Sequence, residues 1–228
     1  MKHSIFELRT LTPSLIFLYR KIVIMIFGCD EAGKGPVLGS MFVACVKGEQ
    51  KDIPSDVRDS KSLSNKKIHS LAEAIRENMD VSISEATSSE IDNNQMTDLS
   101  VSKFSSSIRS LPYEECDSGF IDCFVNNRKT VENRIRNELD AQEGYNLVVE
   151  FSADKNYNIV SAASIIAKSE RENHVEKLSQ RYGDIGSGYP SDPNTREFLS
   201  NYIDKNGVPP ECARKSWSTI DDMLEENS

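Results

Sequence analysis

Asp30 and Glu31 stand side by side one residue past the apolar run Ile22-Val23-Ile24-Met25-Ile26-Phe27-Gly28. Neither carboxylate can be buried unpaired at the end of a core strand, so the pair calls for a countercharge, and a divalent cation is the natural one. The next residues are Ala32-Gly33-Lys34-Gly35-Pro36-Val37. Glycines at 33 and 35 remove side chains beside such a cation and let backbone N–H groups approach a phosphate or sugar hydroxyl closely. Two more acids have suggestive settings. Asp122 interrupts Phe120-Ile121-Asp122-Cys123-Phe124, although strand alternation would equally let it face solvent. Asp154, in Ser152-Ala153-Asp154-Lys155-Asn156-Tyr157, follows a second apolar run and precedes a long helical pattern, where an Asp often serves only as a cap. Four acids at or near strand ends can converge at one end of a mixed sheet, which is what two-metal phosphoryl chemistry requires.

A competing chemistry has to be weighed. Gly28 to Lys34 fits G-x-x-x-x-G-K, most of a nucleotide-triphosphate-binding loop. Gly35 stands where the magnesium-holding Ser or Thr belongs, Asp30 and Glu31 would repel nucleotide phosphates, and Pro36-Val37 leads into a β-like run rather than a helix N-terminus.

The elements that must position these acids follow from periodicity. Residues 22–27 read as a buried central strand, and 37–46 (VLGSMFVACV) as a second strand forming a hairpin with it. A helix is predicted over 64–78, a strand over 80–86 and a helix over 94–110. Residues 118–124 read as a short strand ending in an acid, 129–141 as a helix and 147–151 (LVVEF) as another buried strand. Residues 159–180 give the strongest helical pattern, and a last helix over 192–204 has Asp192 or Ser191 as cap and Pro193 at its first position. Hairpin strands followed by strand–helix alternation imply an α/β fold, a mixed sheet with helices on its faces.

The whole-chain quantities bound the partners. A chain of 228 residues with 38% hydrophobic and 28% charged residues is a globular protein with a core. Its formal net charge of −9 argues against a protein that coats nucleic acid through a uniformly basic surface, while leaving room for an enzyme with a local basic rim. The five cysteines form no C-x-x-C pair and the three histidines no H-E-x-x-H, so neither a zinc cluster nor a disulfide framework is expected, and a reducing cytoplasm is the simplest compartment. Residues 1–24 carry a balance of +3, and their apolar stretch Leu15–Tyr19 is too short and too closely followed by Arg20-Lys21 for a signal peptide or membrane span. They are read as an extension or mis-assigned start, with the working domain over 25–217 and an acidic tail over 218–228.

Several motifs, in order from Met25 to Trp217, resemble the type 2 ribonucleases H. Asp30 to Gly39 (DEAGKGPVLG) is similar to that family's opening signature, Asp59 to Ser64 (DSKSLS) to its D-S-K-x-L-[ST] element, and 152–172 (SADKNYNIVSAASIIAKSERE) to its second signature. Gly186 to Pro190 (GSGYP) resembles the G-[SI]-G-Y-P motif, and Arg214-Lys215-Ser216-Trp217 the R-x-S-W of the archaeal-type C-terminus. The resemblance implies a ribonuclease H-like domain with a helical C-terminal extension. It implies an endoribonuclease that cuts the RNA strand of RNA–DNA hybrids, and cuts 5′ to ribonucleotides embedded in DNA, with two Mg²⁺ or Mn²⁺ ions, leaving 3′-hydroxyl and 5′-phosphate ends. Asp30, Glu31, Asp122 and Asp154 match its metal-binding carboxylates. Gly33, Lys34 and Gly35 match its reader of the ribose 2′-hydroxyl, and Tyr189 the tyrosine stacking on the neighbouring deoxyribose. Lys61, Lys168 and Arg214 are the candidate phosphate contacts. Lys34 stands where Arg is common, and Glu172 where Asp is. A catalytically silent hybrid-binding protein is a second alternative, against which the four retained acids count. A monomer without membrane association is expected, and a replication-clamp partner is not inferable.

Overall fold

The computed structural model describes residues 24–59, 63–123, 127–142 and 144–226. The expectations for residues 1–23 and for Lys61 fall outside the described residues.

Five strands form one sheet: β1 (Met25–Ala32), β2 (Met41–Glu49), β3 (Asp80–Ala86), β4 (Ser118–Asp122) and β5 (Asn146–Glu150), in the order β3-β2-β1-β4-β5. β1 pairs antiparallel with β2, and β2 with β3, whereas β4 and β5 run parallel to β1. The helices are α1 (Asn65–Asn78), α2 (Ser88–Asn93), α3 (Met96–Arg109), α4 (Arg128–Glu138), α5 (Ala153–Asn156), α6 (Asn158–Tyr182), α7 (Pro193–Asn206) and α8 (Ser218–Glu226). This is the mixed, helix-flanked α/β sheet expected from the sequence.

Alternation along β1 divides the core. Ile26 faces α1 and α6 together with Ala44 and Val46, while Phe27 and Cys29 face α3 and α4 together with Val43, Ile121 and Val149. The first two and a half turns of α6 are buried on all sides, since Ile159 to Ala167 are each almost fully excluded from solvent. A helix apolar all round belongs in the middle of a core rather than on its surface. Gly28 is what lets it come so close: a Cβ there would stand 2.6 Å from the Ile159 carbonyl carbon and 2.7 Å from the Val160 nitrogen. A third cluster joins Val37 and Leu38 to Leu199, Ile203, Ile220 and Met223, docking α7 and α8 against the end of the sheet.

Three local expectations are revised. The second strand begins at Met41 rather than Val37. Gly39, at φ +85°, ends extended pairing with β1, and Val37 to Gly39 instead bond to the C-terminal region, Val37 N–H to the Gly188 carbonyl at 2.8 Å and Gly39 N–H to the Cys212 carbonyl at 2.8 Å. An apolar β-like run does not reveal that it changes partner midway. Residues 218–226 form a helix anchored through the buried Ile220 and Met223, so the acidic segment begins as a packed helix rather than a bare tail.

The third revision concerns cysteine. Cys29 and Cys45 are disulfide-bonded, a crosslink not foreseen where no disulfide framework was expected. The β1–β2 register sets the two residues directly opposite, with Cα atoms 4.2 Å apart and both side chains on the α3–α4 face. A separation of 16 residues carries no trace of that register. Closing a loop of this length stabilises by at most about 3 kcal/mol, and less where hydrogen bonds already hold the two strands. Reduction is therefore expected to lower Tm by only a few degrees, measured by thermal melts with and without a phosphine reductant; a Cys45→Ala chain should respond to reductant not at all.

Candidate active site

The carboxylates arrive at the site by three routes. β1 delivers Asp30 and Glu31 as its penultimate pair before Ala32. Parallel β4 ends on Asp122, one residue past the register pair Cys29–Ile121, so Asp122 lies level with Asp30 and on the same α6-facing side. Asp154 comes from the single turn α5 just beyond β5. Between β5 and α5 the chain reverses through Ser152 at φ +57°, left-handed backbone that a non-glycine residue adopts only where its surroundings hold it. The reversal aims two amides at one carboxylate: Ser152 N–H donates to Asp122 Oδ1 at 3.2 Å and Asp154 N–H to Oδ2 at 3.5 Å. Asp30 Oδ1 accepts from Glu31 N–H at 2.7 Å, and Ser164 of α6 also bonds to this carboxyl. Ser161 Oγ donates to the Asp154 carbonyl at 2.5 Å, tying α5 to α6.

All four acids line one open cleft of about 660 Å³, together with Gly33, Lys34, Gly35, Lys168 and Tyr189. Burial, and next the neighbouring charge of Asp122, push Asp30 up to about 8. Burial also raises Asp122, to about 6, against the pull of the Asp154 amide. Carboxyls crowded until one keeps its proton at neutral pH are short of positive charge. Lys34 supplies some, with its Nζ 2.8 Å from Glu31 Oε1. The donors are all hard oxygens, which suits Mg²⁺ or Mn²⁺ rather than zinc. Among the described residues no three acidic, histidine or cysteine side chains converge tightly enough to cage an ion.

At the other end of the cleft the glycine loop meets Tyr189. Gly33 takes φ +86°, and a Cβ on it would stand 2.8 Å from the Ser40 carbonyl. A Cβ on Gly35 would press on the Tyr189 ring at 3.3 Å. Tyr189, 39% exposed, offers its ring to the cleft while Arg171 lies against it, with the guanidinium carbon 4.9 Å from the ring centroid. Arg171 also donates to the Ser187 carbonyl and to Glu172 at 3.2 Å.

Of the expected phosphate contacts, Lys168 lines the cleft. Arg214 does not serve as one: it is fully buried, and its guanidinium is spent on the carbonyls of Gly33, Lys34 and Gly39. Its charge suggested an exterior role that only tertiary packing could correct. Arg171, Ser164 and the amide of Ser152 went unassigned in the sequence. A signal for two of them was present, since Ser161, Ser164, Lys168 and Arg171 recur at steps of three and four, one stripe of α6. The nucleotide-loop alternative also fails here, because Gly28 to Ala32 lie within β1 and no helix follows Lys34.

The ribonuclease HII family model matches residues 27–220. A ribonuclease HII from Haloarcula marismortui is 43% identical over 203 residues, covering 88% of this chain and 95% of that protein. Among solved structures, the ribonuclease H2 of Pyrococcus horikoshii OT3 superposes with a TM-score of 0.82 at 34% identity, covering 90% of this chain and 99% of that one. The ribonuclease HII of Archaeoglobus fulgidus, solved in complex with PCNA, gives 0.78 at 31% identity, covering 87% and 96%. No helix of the described residues is long and apolar enough to cross a membrane. The chain therefore belongs to the ribonuclease HII family and is an endoribonuclease with the ribonuclease H-like α/β fold.

Proposed function

We propose that the chain hydrolyses the RNA strand of RNA–DNA hybrids and cuts DNA 5′ to an embedded ribonucleotide. The observation that carries this reading is the single cleft in which four carboxylates face a glycine loop and an exposed tyrosine. The acids provide for phosphodiester hydrolysis, and the loop and ring provide for telling ribose from deoxyribose. The 2′-hydroxyl, both donor and acceptor, is the one feature that separates them at a given nucleotide.

Asp30, Glu31, Asp122 and Asp154 would hold two Mg²⁺ or Mn²⁺ ions. When bound, those ions supply an activated water and stabilise charge on the leaving oxygen. The remaining work belongs to the chain. The Ser152 and Asp154 amides fix both oxygens of Asp122, and Ser164 and the Glu31 amide fix Asp30, so the ligands are preorganised before substrate arrives. Lys168 stands at the wall where a substrate phosphate would lie. Tyr189, braced by Arg171, offers a flat apolar face to a sugar. Cytoplasmic placement and action as a monomer complete the reading.

Cleavage of a labelled duplex carrying one ribonucleotide tests it, with Mg²⁺, Mn²⁺ or EDTA. Metal-dependent cutting 5′ to the ribonucleotide, giving a 3′-hydroxyl, is the expected result. Equal cutting of an all-DNA duplex, or cutting undiminished by EDTA, would reject it.

A further inference from the structure

Arg214 reaches the glycine loop from about 180 residues away in sequence, and its guanidinium bonds to the loop's underside. Nε donates to the Gly39 carbonyl at 2.9 Å, Nη1 to Lys34 at 2.8 Å and Nη2 to Gly33 at 2.5 Å. Its own N–H donates to the Val37 carbonyl at 2.9 Å, and the Trp217 ring lies under the guanidinium at 5.4 Å. Every one of these partners except Trp217 is main chain of the segment that joins β1 to β2. Three carbonyls turned onto the guanidinium offset the cost of burying it, and in return the fork fixes the direction of each.

That orientation has a consequence fixed by peptide geometry. No peptide bond among the described residues is cis. In a trans peptide the C=O of one residue and the N–H of the next point in opposite directions. With the Gly33 and Lys34 carbonyls aimed inward at Arg214, the N–H groups of Lys34 and Gly35 are aimed away from it, on the side where both residues line the cleft. Two successive amides pointing the same way form a concave donor pair suited to an oxygen ligand.

We infer that Arg214 is a positioning residue for substrate choice: by holding three loop carbonyls it turns the Lys34 and Gly35 amides toward the sugar hydroxyl that marks a ribonucleotide. It does so without meeting the substrate. The inference rests on the reading above that this loop recognises the 2′-hydroxyl. An arginine suits the task because its rigid planar fork supplies several donors in fixed directions and stays charged when buried, whereas a lysine ammonium is one point on a flexible stem.

The test is a ratio. Affinity is measured, with Ca²⁺ in place of the catalytic ion, for a duplex containing one ribonucleotide and for the identical all-DNA duplex. The wild-type chain, Arg214→Lys and Arg214→Met are compared, each with its Tm. A variant that merely unfolds in part loses binding to both duplexes equally and leaves the ratio unchanged. Loss of loop orientation instead lowers the ratio, by about 10-fold for Arg214→Lys and up to about 100-fold for Arg214→Met, the scale on which a misplaced positioning group costs activity. Should the methionine variant fail to fold, Arg214→Lys carries the decision. A folded Arg214→Lys chain with the wild-type ratio overturns the inference. A wild-type ratio near one rejects the 2′-hydroxyl reading itself, and the role of Arg214 falls with it; the two failures are distinct because one appears in the variant and the other in the wild type.

Discussion

An Asp30→Asn protein is expected to melt at a higher temperature than the native chain in EDTA while cutting its substrate on the order of 10³-fold more slowly. Both effects come from one carboxyl. In the metal-free protein Asp30 is buried beside Asp122, and its carboxyl is pushed up to about 8. A group whose folded value lies above its unfolded value of about 3.9 stabilises the fold fully below that pH, and its contribution is lost as pH rises through the folded value. The native chain in EDTA should therefore lose ground to the variant between about pH 4 and pH 8, by at most about 1.4 kcal/mol per pH unit. Acids such as Asp192, held down by its bonds from the Ser187 side chain and amide, shift stability in the opposite sense. They are common to both proteins, so the difference between the two melts isolates Asp30. Thermal melts at pH 5 and pH 8 check the sign, and the cleavage assay checks the loss. Asparagine keeps the shape and removes the charge that a divalent ion needs. A variant of unchanged activity would remove Asp30 from the site, and a difference in Tm that narrowed with rising pH would remove the electrostatic account.

Gly28→Ala is expected to be nearly as damaging without touching any chemical group. The added methyl would sit 2.6 to 2.8 Å from the Ile159 carbonyl carbon, the Val160 nitrogen and the Ile159 Cγ2. Two of these are main-chain atoms at the first turn of α6, so relief requires the helix to move off the sheet. Overpacking of this kind costs about 2–3 kcal/mol, or roughly 4–12 °C in Tm for a chain of this size. The helix carries Ser161 and Ser164, which hold the Asp154 carbonyl and the Asp30 carboxyl, so cleavage should fall along with stability. Gly48→Ala is the control. Its methyl would meet only the flexible end of Met79 at 2.6 Å, and it should cost less than about 1 kcal/mol. Comparable losses from the two substitutions would show that β1–α6 closeness is not what matters.

The sequence disclosed those parts of the site that lie within single segments. Asp30, Glu31 and the glycine loop are contiguous, so their chemistry could be argued from neighbours alone. Asp122 was ambiguous in isolation, because solvent and core faces alternate along any strand. Only the parallel register of β4 on β1 brings it level with Asp30. The longer helices α1, α3, α4, α6 and α7 were legible from sequence pattern, and Asp192, one of two candidate caps, caps α7, whereas the short α2 and α5 and the C-terminal α8 were not foreseen. What stayed hidden was pairwise and distant: the Cys29–Cys45 crosslink, the inward turn of Arg214 and the brace of Arg171 under Tyr189. Each depends on which elements become neighbours in space, and local pattern does not record that.

One helix spans the distance between hydrolysis and recognition. Ser164 of α6 bonds to Asp30, and Arg171, seven residues on, supports Tyr189. At 1.5 Å per residue these points lie about 10 Å apart along a rod buried in the core. On the proposed reading α6 acts as a gauge: helical rise sets how far the sugar stacked on Tyr189 stands from the carboxylates, while the glycine loop, continuous with β1, reads the ribose beside them. A shift of α6 along its axis would carry the partner of Asp30 and the support of Tyr189 together, and so would keep the spacing between them.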